Sequence, residues 1–338
     1  MKGNEYIKHI NFMNEIKKIG VFTSGGDAPG MNAAIRAVVR TALYHNLEVV
    51  GIMKGFEGMI NGEFIPMGRK SVANIIQRGG TILKTSRCEA FKTKEGRKKA
   101  YDNLKAANID ALIAIGGDGT FKGAKVFSEE FDMPIMGIPG TIDNDLFGTD
   151  FTIGYDTAIN TVVNAVDKIR DTAESHDRLF IVEVMGRDSG LIALRTAIGV
   201  GAESVLIPDS KRDFNFLIKR LEEGRKDKSS KIIMVGEDEE DGGFGMRIGE
   251  MVREKFPNYD TRVSVLGHLQ RGGKPTCMDR VLASRLGVCS VEQLLKGRRG
   301  EMLGLVHKNV AYTPFAEAVK YIEEINMSML KIVEILSL

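Results

Sequence analysis

The chain has 338 residues, 43% hydrophobic and 27% charged, with 47 Lys plus Arg against 45 Asp plus Glu. That length buries more than one core, and the charge balance leaves no surplus to attract nucleic acid or anionic lipid. The three cysteines, Cys88, Cys277 and Cys289, are too few for a disulfide framework and lack zinc-site spacing, so they read as free cytosolic thiols.

In chain order, short apolar runs closed by Gly-rich or polar turns alternate with helical patterns, which predicts an α/β protein with parallel strands and crossover helices. Residues 1–14 are polar, lack the apolar core of a signal peptide and read as a ragged extension or an upstream start. No apolar run reaches the roughly 20 residues that span a bilayer, so a cytoplasmic protein without a membrane partner is expected. The predicted strands are 16–22, 47–53, 111–115, 134–138, 179–184, 204–207, 232–235 and 263–266. Several are apolar almost throughout, as strands covered on both faces are. Residues 225–243 read as a polar surface loop, strand and loop. Residues 316–338 read as one amphipathic docking helix with a stripe of Ile322, Ile325, Met329 and Ile332. Two lobes with a cleft are the expected organisation.

Five strands run into unusual loops: Ser24-Gly25-Gly26-Asp27-Ala28-Pro29-Gly30, Gly116-Gly117-Asp118-Gly119-Thr120, Pro139-Gly140-Thr141-Ile142-Asp143-Asn144-Asp145, Met185-Gly186-Arg187, and Gly267-His268-Leu269-Gln270-Arg271-Gly272-Gly273. Ligands of open α/β sheets bind outside the carboxyl ends of strands, so these loops define one site edge. The first two let backbone N–H groups and a following helix N-terminus face a polyphosphate, and neither continues into the Gly-Lys-Ser/Thr of a P-loop. A carboxylate at Asp118 would repel phosphate unless a divalent cation bridges them, so Mg²⁺ is expected there; capping of its own turn is the alternative. Asp143 and Asp145 are candidate bases for a sugar hydroxyl, with an N-cap and Asx-turn as the alternative. Arg87, Arg178, Arg187, Arg262 and Arg271 offer bidentate phosphate contacts, and His268 a neutral donor.

These motifs resemble the bacterial ATP-dependent 6-phosphofructokinases from about Lys17 to the C-terminal helix. The segments that carry the resemblance are Thr-Ser-Gly-Gly-Asp-Ala-Pro-Gly-Met-Asn-Ala-Ala-Ile-Arg (23–36), Ile-Gly-Gly-Asp-Gly (115–119), Pro-Gly-Thr-Ile-Asp-Asn-Asp (139–145), Val-Glu-Val-Met-Gly-Arg (182–187) and Leu-Gly-His-Leu-Gln-Arg-Gly-Gly (266–273), in family order. The resemblance implies two three-layer lobes with mostly parallel sheets and the active site in the cleft. An ATP lobe would take 1–154 plus about 275–322, and a fructose 6-phosphate lobe about 155–274 plus 323–338. It implies that Gly26, Phe56, Arg87, Cys88, Asp118, Gly119, Thr120, Phe121, Lys122 and Gly123 contact ATP, with Asp118 serving Mg²⁺. Asp143 would be the general base, with Thr141, Asp145, Arg87 and Arg187 in the catalytic set. Thr141, Asp143, Met185, Gly186, Arg187, Glu237 and His268 to Arg271 would surround the sugar phosphate. Arg178 and Arg262 would reach it from a neighbouring subunit of a homotetramer.

Diphosphate-using relatives carry Asp where Gly119 stands and Lys where Gly140 stands, which implies ATP as donor here. An effector pocket for ADP or phosphoenolpyruvate is implied at Arg36, Arg40, Arg69, Arg170, Glu203, Lys226 and Lys228. Two departures stand out: Ser230 where the family pattern has His, and Phe56 where an aromatic with a hydroxyl is usual. The rival readings are a kinase of another phosphorylated sugar or of NAD, a dinucleotide oxidoreductase, which lacks its Gly-x-Gly-x-x-Gly here, and a silent nucleotide-binding regulator.

Overall fold

The computed structural model describes residues 16–207, 213–223, 230–238, 243–321 and 327–337. Its contacts divide the chain into two units: Met1–Thr141, Leu146–Asp156 and Arg271–Tyr321 form the first, and Ile142–Asp145, Thr157–Gln270 and Ile322–Leu338 the second. Residues 142–145, within the first lobe by the sequence reading, group with the second unit.

The sheet of the first unit is built on β1 (Lys18–Thr23), β2 (Glu48–Ile52), β3 (Phe64–Pro66), β4 (Ala111–Gly116), β5 (Ile135–Thr141) and β6 (Ile153–Gly154), completed by β11 (Glu301–Val306) and β12 (Asn309–Pro314). The order is β12-β11-β5-β4-β1-β2-β3, with β6 beside the end of β5. Its centre is parallel, with Val21 opposite Ile113 and Ile113 opposite Met136, and antiparallel pairs close both edges. β4 and β5 are buried at every residue, which is why they are apolar without alternation. Helices α1 (Met31–Tyr44), α2 (Phe56–Asn61), α3 (Lys94–Ala106), α4 (Asp118–Phe131) and α9 (Cys277–Leu295) belong to this unit. α1 and α9 approach closely through small residues, a Cβ at Gly287 lying 2.6 Å from that of Ala37. An aromatic core of Phe22, Phe56, Phe91, Phe121, Phe127 and Phe315 supports the other helices. Residues 67–88 carry neither strand nor helix before a 3₁₀ turn at Glu89–Lys92.

In the second unit four parallel strands, β7 (Arg178–Val184), β8 (Ser204–Leu206), β9 (Lys231–Gly236) and β10 (Asp260–Val265), take the order β10-β7-β9-β8. They are joined by α5 (Tyr155–Glu174), α6 (Leu191–Gly199), α7 (Asp213–Glu223) and α8 (Phe244–Lys255). The strand expected at 232–235 is present as β9, but its surface placement is corrected: β9 is buried at every residue between β7 and β8, the polar character of 225–243 lying in its flanks. The single C-terminal helix is corrected as well. Residues 316–321 are not helical, Leu146 bridging Lys320 as extended backbone, and α10 runs only over Met327–Leu336. Its inward residue is Val333, while Ile332 is 40% exposed. Although Ser328, Lys331 and Glu334 mark one polar side, α10 also leaves Ile332, Ile335 and Leu336 exposed, so the apolar stripe did not fix its buried face. Ile322 and Ile325 lie outside the described residues.

Candidate active site

In the first unit the loops after β1 and β4 lie side by side because those strands are neighbours. Ser24 N–H donates to the Ile115 carbonyl (3.0 Å), joining the two turns, and Thr85 Oγ1 donates to the Gly25 carbonyl. α4 begins at Asp118 directly after Gly117, whose carbonyl accepts from the N–H groups of Thr120 (3.0 Å) and Phe121 (3.1 Å). Thr120 is 2% exposed, and its hydroxyl has no hydrogen-bond partner among the described residues. A buried hydroxyl without a partner, beside Gly25 at a helix N-terminus, is chemistry suited to an anion.

The glycines of this region separate by cause. At Gly119 a Cβ would meet nothing within 4 Å, and its φ is not left-handed, so neither packing nor backbone demands glycine. At Gly140 a Cβ would lie 3.1 Å from Met31 Cε and 3.2 Å from Ile115 Cγ2, so a side chain there fits only if these neighbours give by a few tenths of an ångström. Arg271 lies across the first loop: its Nη1 is 2.5 Å from where a Gly26 Cβ would stand, and it donates to the Asp27 carbonyl (3.3 Å). Arg87 is exposed and makes no ion pair or hydrogen bond among the described residues.

Asp118 is half-buried, with Oδ2 2.7 Å from Lys122 Nζ and Oδ1 accepting the Lys320 N–H at 2.9 Å. Among the described residues no group of three His, Cys, Asp or Glu could cage a metal. One oriented carboxylate at a helix N-terminus nevertheless fits Mg²⁺, which keeps several waters and shares phosphate oxygens. Cys88 is half-buried against the aromatic core. Phe56 and Phe121, expected at the nucleotide, have their rings in that core. Phe56 is 8% exposed, stacked on Phe91 at 4.0 Å and abutting Gly123; Phe121 is fully buried against Phe315 at 5.5 Å. At position 121 only the backbone remains to offer.

The second unit gathers a different set. Asp143 and Asp145 are buried there, two and four residues past the end of β5 at Thr141, which is itself buried. Ser189 Oγ is 3.1 Å from the Asp143 carbonyl and 2.8 Å from that of Gly186, so it ties the aspartate loop to the turn after β7. In that turn Met185 N–H donates to Gln270 Oε1 (3.2 Å), and Gln270 Nε2 donates to the Gly267 carbonyl (3.0 Å), fixing the loop that carries exposed His268. Arg187 sits at φ 46°, a left-handed conformation for a residue with a Cβ, and its N–H donates to Glu237 Oε1 (3.3 Å). Burial pushes the Glu237 carboxyl up and the Asp143 charge adds to that, while the N–H groups of Arg187 and Gly186 pull the other way.

Arg178 and Arg262 do not join this cluster within the chain. They flank Asp260 at the opening of β7 and β10, at 2.8 and 3.0 Å, and hold its carboxyl below the usual range. β7 runs seven residues, so Arg178 stands about 20 Å from the turn at Met185.

Of the effector set, Arg36 and Arg40 are one turn apart on α1; burial and then the Arg40 charge lower the Arg36 pKa, and neither has an acidic partner among the described residues. Arg69 is exposed in the same unit. In the second unit Arg170 Nη2 donates to the Val200 carbonyl and Glu203 is buried, while Ser230 is 3.4 Å from Glu174. Lys226 and Lys228 lie outside the described residues.

The motifs left Glu183 unassigned. Buried in β7, its carboxylate accepts the N–H groups of Gly243 (3.3 Å) and Gly245 (2.7 Å) and caps α8. A lone acid in an apolar strand was the available signal.

A family model described as Phosphofructokinase matches residues 18–294. The chain is 53% identical to ATP-dependent 6-phosphofructokinase 2 of Bacteroides thetaiotaomicron over 327 residues, covering 96% of this chain and 100% of that protein. ATP-dependent 6-phosphofructokinase 1 of Thermus thermophilus is 53% identical over 324 residues with the same coverage, 96% and 100%. Among solved structures, Pichia pastoris phosphofructokinase in the T-state superposes with a TM-score of 0.83 at 34% identity; it covers 90% of this chain, which spans 35% of the Pichia chain. Pyrophosphate-dependent phosphofructokinase from Marinobacter aquaeolei shares the fold, with a TM-score of 0.80 at 20% identity over 94% of this chain and 91% of that one. Glycine loops of this arrangement, matched along nearly the whole length, place the chain in the phosphofructokinase family.

Proposed function

We propose that the chain is a cytoplasmic ATP-dependent 6-phosphofructokinase, a homotetramer that transfers the γ-phosphoryl group of Mg-ATP to O1 of fructose 6-phosphate. The observation that carries this reading is the pair of glycine loops on neighbouring parallel strands, closed by the α4 N-terminus and the buried Thr120 hydroxyl. The printed names of full-length relatives support ATP as donor.

In this mechanism the N–H groups at the start of α4 and the first loop hold the triphosphate, and Arg87 and Arg187 neutralise the transferring phosphate, with Arg271 lying over the first loop. Asp118 would hold the Mg²⁺, which when bound offsets phosphate charge. Asp143 accepts the proton of the 1-hydroxyl as that oxygen attacks, with Thr141 and Asp145 beside it. The strained Arg187 turn, Glu237 and His268 orient the sugar, and Arg178 and Arg262 meet the 6-phosphate from a neighbouring subunit. Arg36, Arg40, Arg69, Arg170, Glu203, Lys226 and Lys228 form the pocket of an anionic effector, ADP or phosphoenolpyruvate. In support, Arg36 and Arg40 are a like-charged pair without an acidic partner among the described residues.

The test is turnover of fructose 6-phosphate by purified protein with Mg²⁺ and either ATP or diphosphate, read through a coupled NADH assay. Product with ATP alone is expected; product with diphosphate alone overturns the donor, and none with either overturns the reaction. In the same assay Asp143→Ser lowers kcat about 10²- to 10⁴-fold with little change in KM, and near-normal turnover would remove Asp143 from its role.

A further inference from the structure

Asn32 lies in the most distinctive motif of the sequence, residues 23–36, yet no step of the proposed chemistry uses it. It is 1% exposed in the first turn of α1. Its amide makes three hydrogen bonds, all to the backbone of one segment: Nδ2 donates to the carbonyls of Arg78 and Gly79, both at 3.1 Å, and Oδ1 accepts the Ile82 N–H at 2.8 Å. Both amide hydrogens and the amide oxygen are therefore engaged.

The segment it holds is an unusual one. Residues 67–88 have no strand or helix to fix their path, and a stretch of that length inside a folded unit is ordinarily functional. Side chains pin it instead. On its far side the backbone of Gly79 rests against Gly273, leaving no room for a Cβ, so Gly79 is clamped between Asn32 and that loop. Further on, Thr81 Oγ1 lies 2.9 Å from Thr23 Oγ1, which donates to the Lys84 carbonyl at 2.8 Å. Thr85 reaches the Gly25 carbonyl, and Ser86 Oγ donates to Glu57 Oε2 at 2.5 Å. Arg87 follows at once. The strap thus leaves α1 at Asn32, follows the end of β1 and delivers Arg87 beside the first glycine loop.

We infer that Asn32 is a positioning residue for phosphoryl transfer, setting through the strap of residues 78–86 where the Arg87 guanidinium stands. The inference rests on the proposed kinase reading, in which Arg87 neutralises the transferring phosphate. Placement errors of the order of 1 Å at such a group are costly in rate even when the fold is intact.

The experiment uses the full chain as wild type, Asn32→Asp, Arg87→Ala and the double variant, with Thr81→Val beside them as a second, milder loosening of the strap. Asn32→Asp is nearly isosteric and removes the two donated bonds. Kinetics with Mg-ATP and fructose 6-phosphate are combined with melting curves and amide exchange. Asn32→Asp is expected to lower kcat about 10- to 100-fold, to melt below wild type because it buries a carboxylate against two carbonyl oxygens, and to speed exchange chiefly within residues 68–88. In the Arg87→Ala background it is expected to cost almost nothing further. Thr81→Val should show the same pattern at smaller amplitude, and it carries the test if Asn32→Asp does not fold. Unchanged kcat, full additivity with Arg87→Ala, or exchange loosened throughout the chain would overturn the inference while leaving the kinase reading intact. A wild-type protein without ATP-dependent turnover overturns both.

Discussion

At the scale of single residues, the two glycines that sequence reasoning paired as markers of the phosphoryl donor have different physical causes. Gly140 is packed tightly by Met31 and Ile115, so a side chain there has to displace those neighbours whatever the donor. Gly119 is exposed, with open space where a Cβ would stand, and it sits in the first turn of a helix, where an acid favours the macrodipole. An Asp there costs the fold nothing, yet it adds a second carboxylate beside Asp118, where the triphosphate is proposed to lie. Gly119→Asp is therefore expected to melt at or above the wild-type temperature while ATP-dependent kcat/KM falls about 100-fold or more, from like-charge repulsion at short range. Gly140→Ala, made for comparison, sets its Cβ in tight contact with Met31 and Ile115, so its effect is read first in the melting temperature. If Gly119→Asp retains normal kinetics with ATP, the open space is not where the phosphates go. The motifs were legible because Gly and Asp at strand ends are local signals. The placement of Arg271 over Gly26 was not, since it depends on residues 245 apart in sequence meeting in the fold.

Among elements, the buried parallel strands were the easiest to read, β4 and β5 above all, because burial on both faces leaves an unbroken apolar run. β3, β6, β11 and β12 were not read: β3 and β12 are edges, β6 has only two residues, and the interior β11 is interrupted by Gly304 and bounded by charged residues. Also invisible was the clamp joining α3 to α4: Arg97, with its side chain 10% exposed, meets Glu130 through Nε at 2.5 Å and Nη2 at 2.7 Å and donates to the carbonyls of Phe91 and Lys92. The Arg97 hydrogen bond holds the Glu130 carboxyl below the usual range. A carboxyl lowered in the fold contributes stability above its unfolded pKa, and that contribution is lost as pH falls through the folded value. Glu130→Gln should therefore cost about 1–2 kcal/mol at neutral pH. The gap from wild type should shrink as pH drops below about 4, and a gap constant from pH 7 to pH 3 in thermal melts would show that the charge is not what holds the clamp.

For the whole molecule, the division into two units is a property that no local pattern announces. The chain passes to the second unit for only four residues, Ile142–Asp145, before returning, and such an excursion leaves no composition shift to detect. It also carries a chemical consequence, because the phosphate-type features, Gly25, Thr120, Asp118 and Arg87, belong to the first unit, and Asp143, Glu237, Arg187 and Gln270 to the second. If the first unit takes the nucleotide and the second the sugar phosphate, each ligand alone should slow amide exchange in its own set of loops. A non-hydrolysable Mg-ATP analogue is expected to protect residues 24–30, 81–88 and 116–121, and fructose 6-phosphate to protect 142–145, 185–190 and 267–270. At 100 times its dissociation constant either ligand contributes about 2.7 kcal/mol to the state that binds it, enough for exchange to register. Protection by the nucleotide appearing on the second set, or by the sugar phosphate on the first, would reverse the assignment of units to substrates while leaving the family membership untouched.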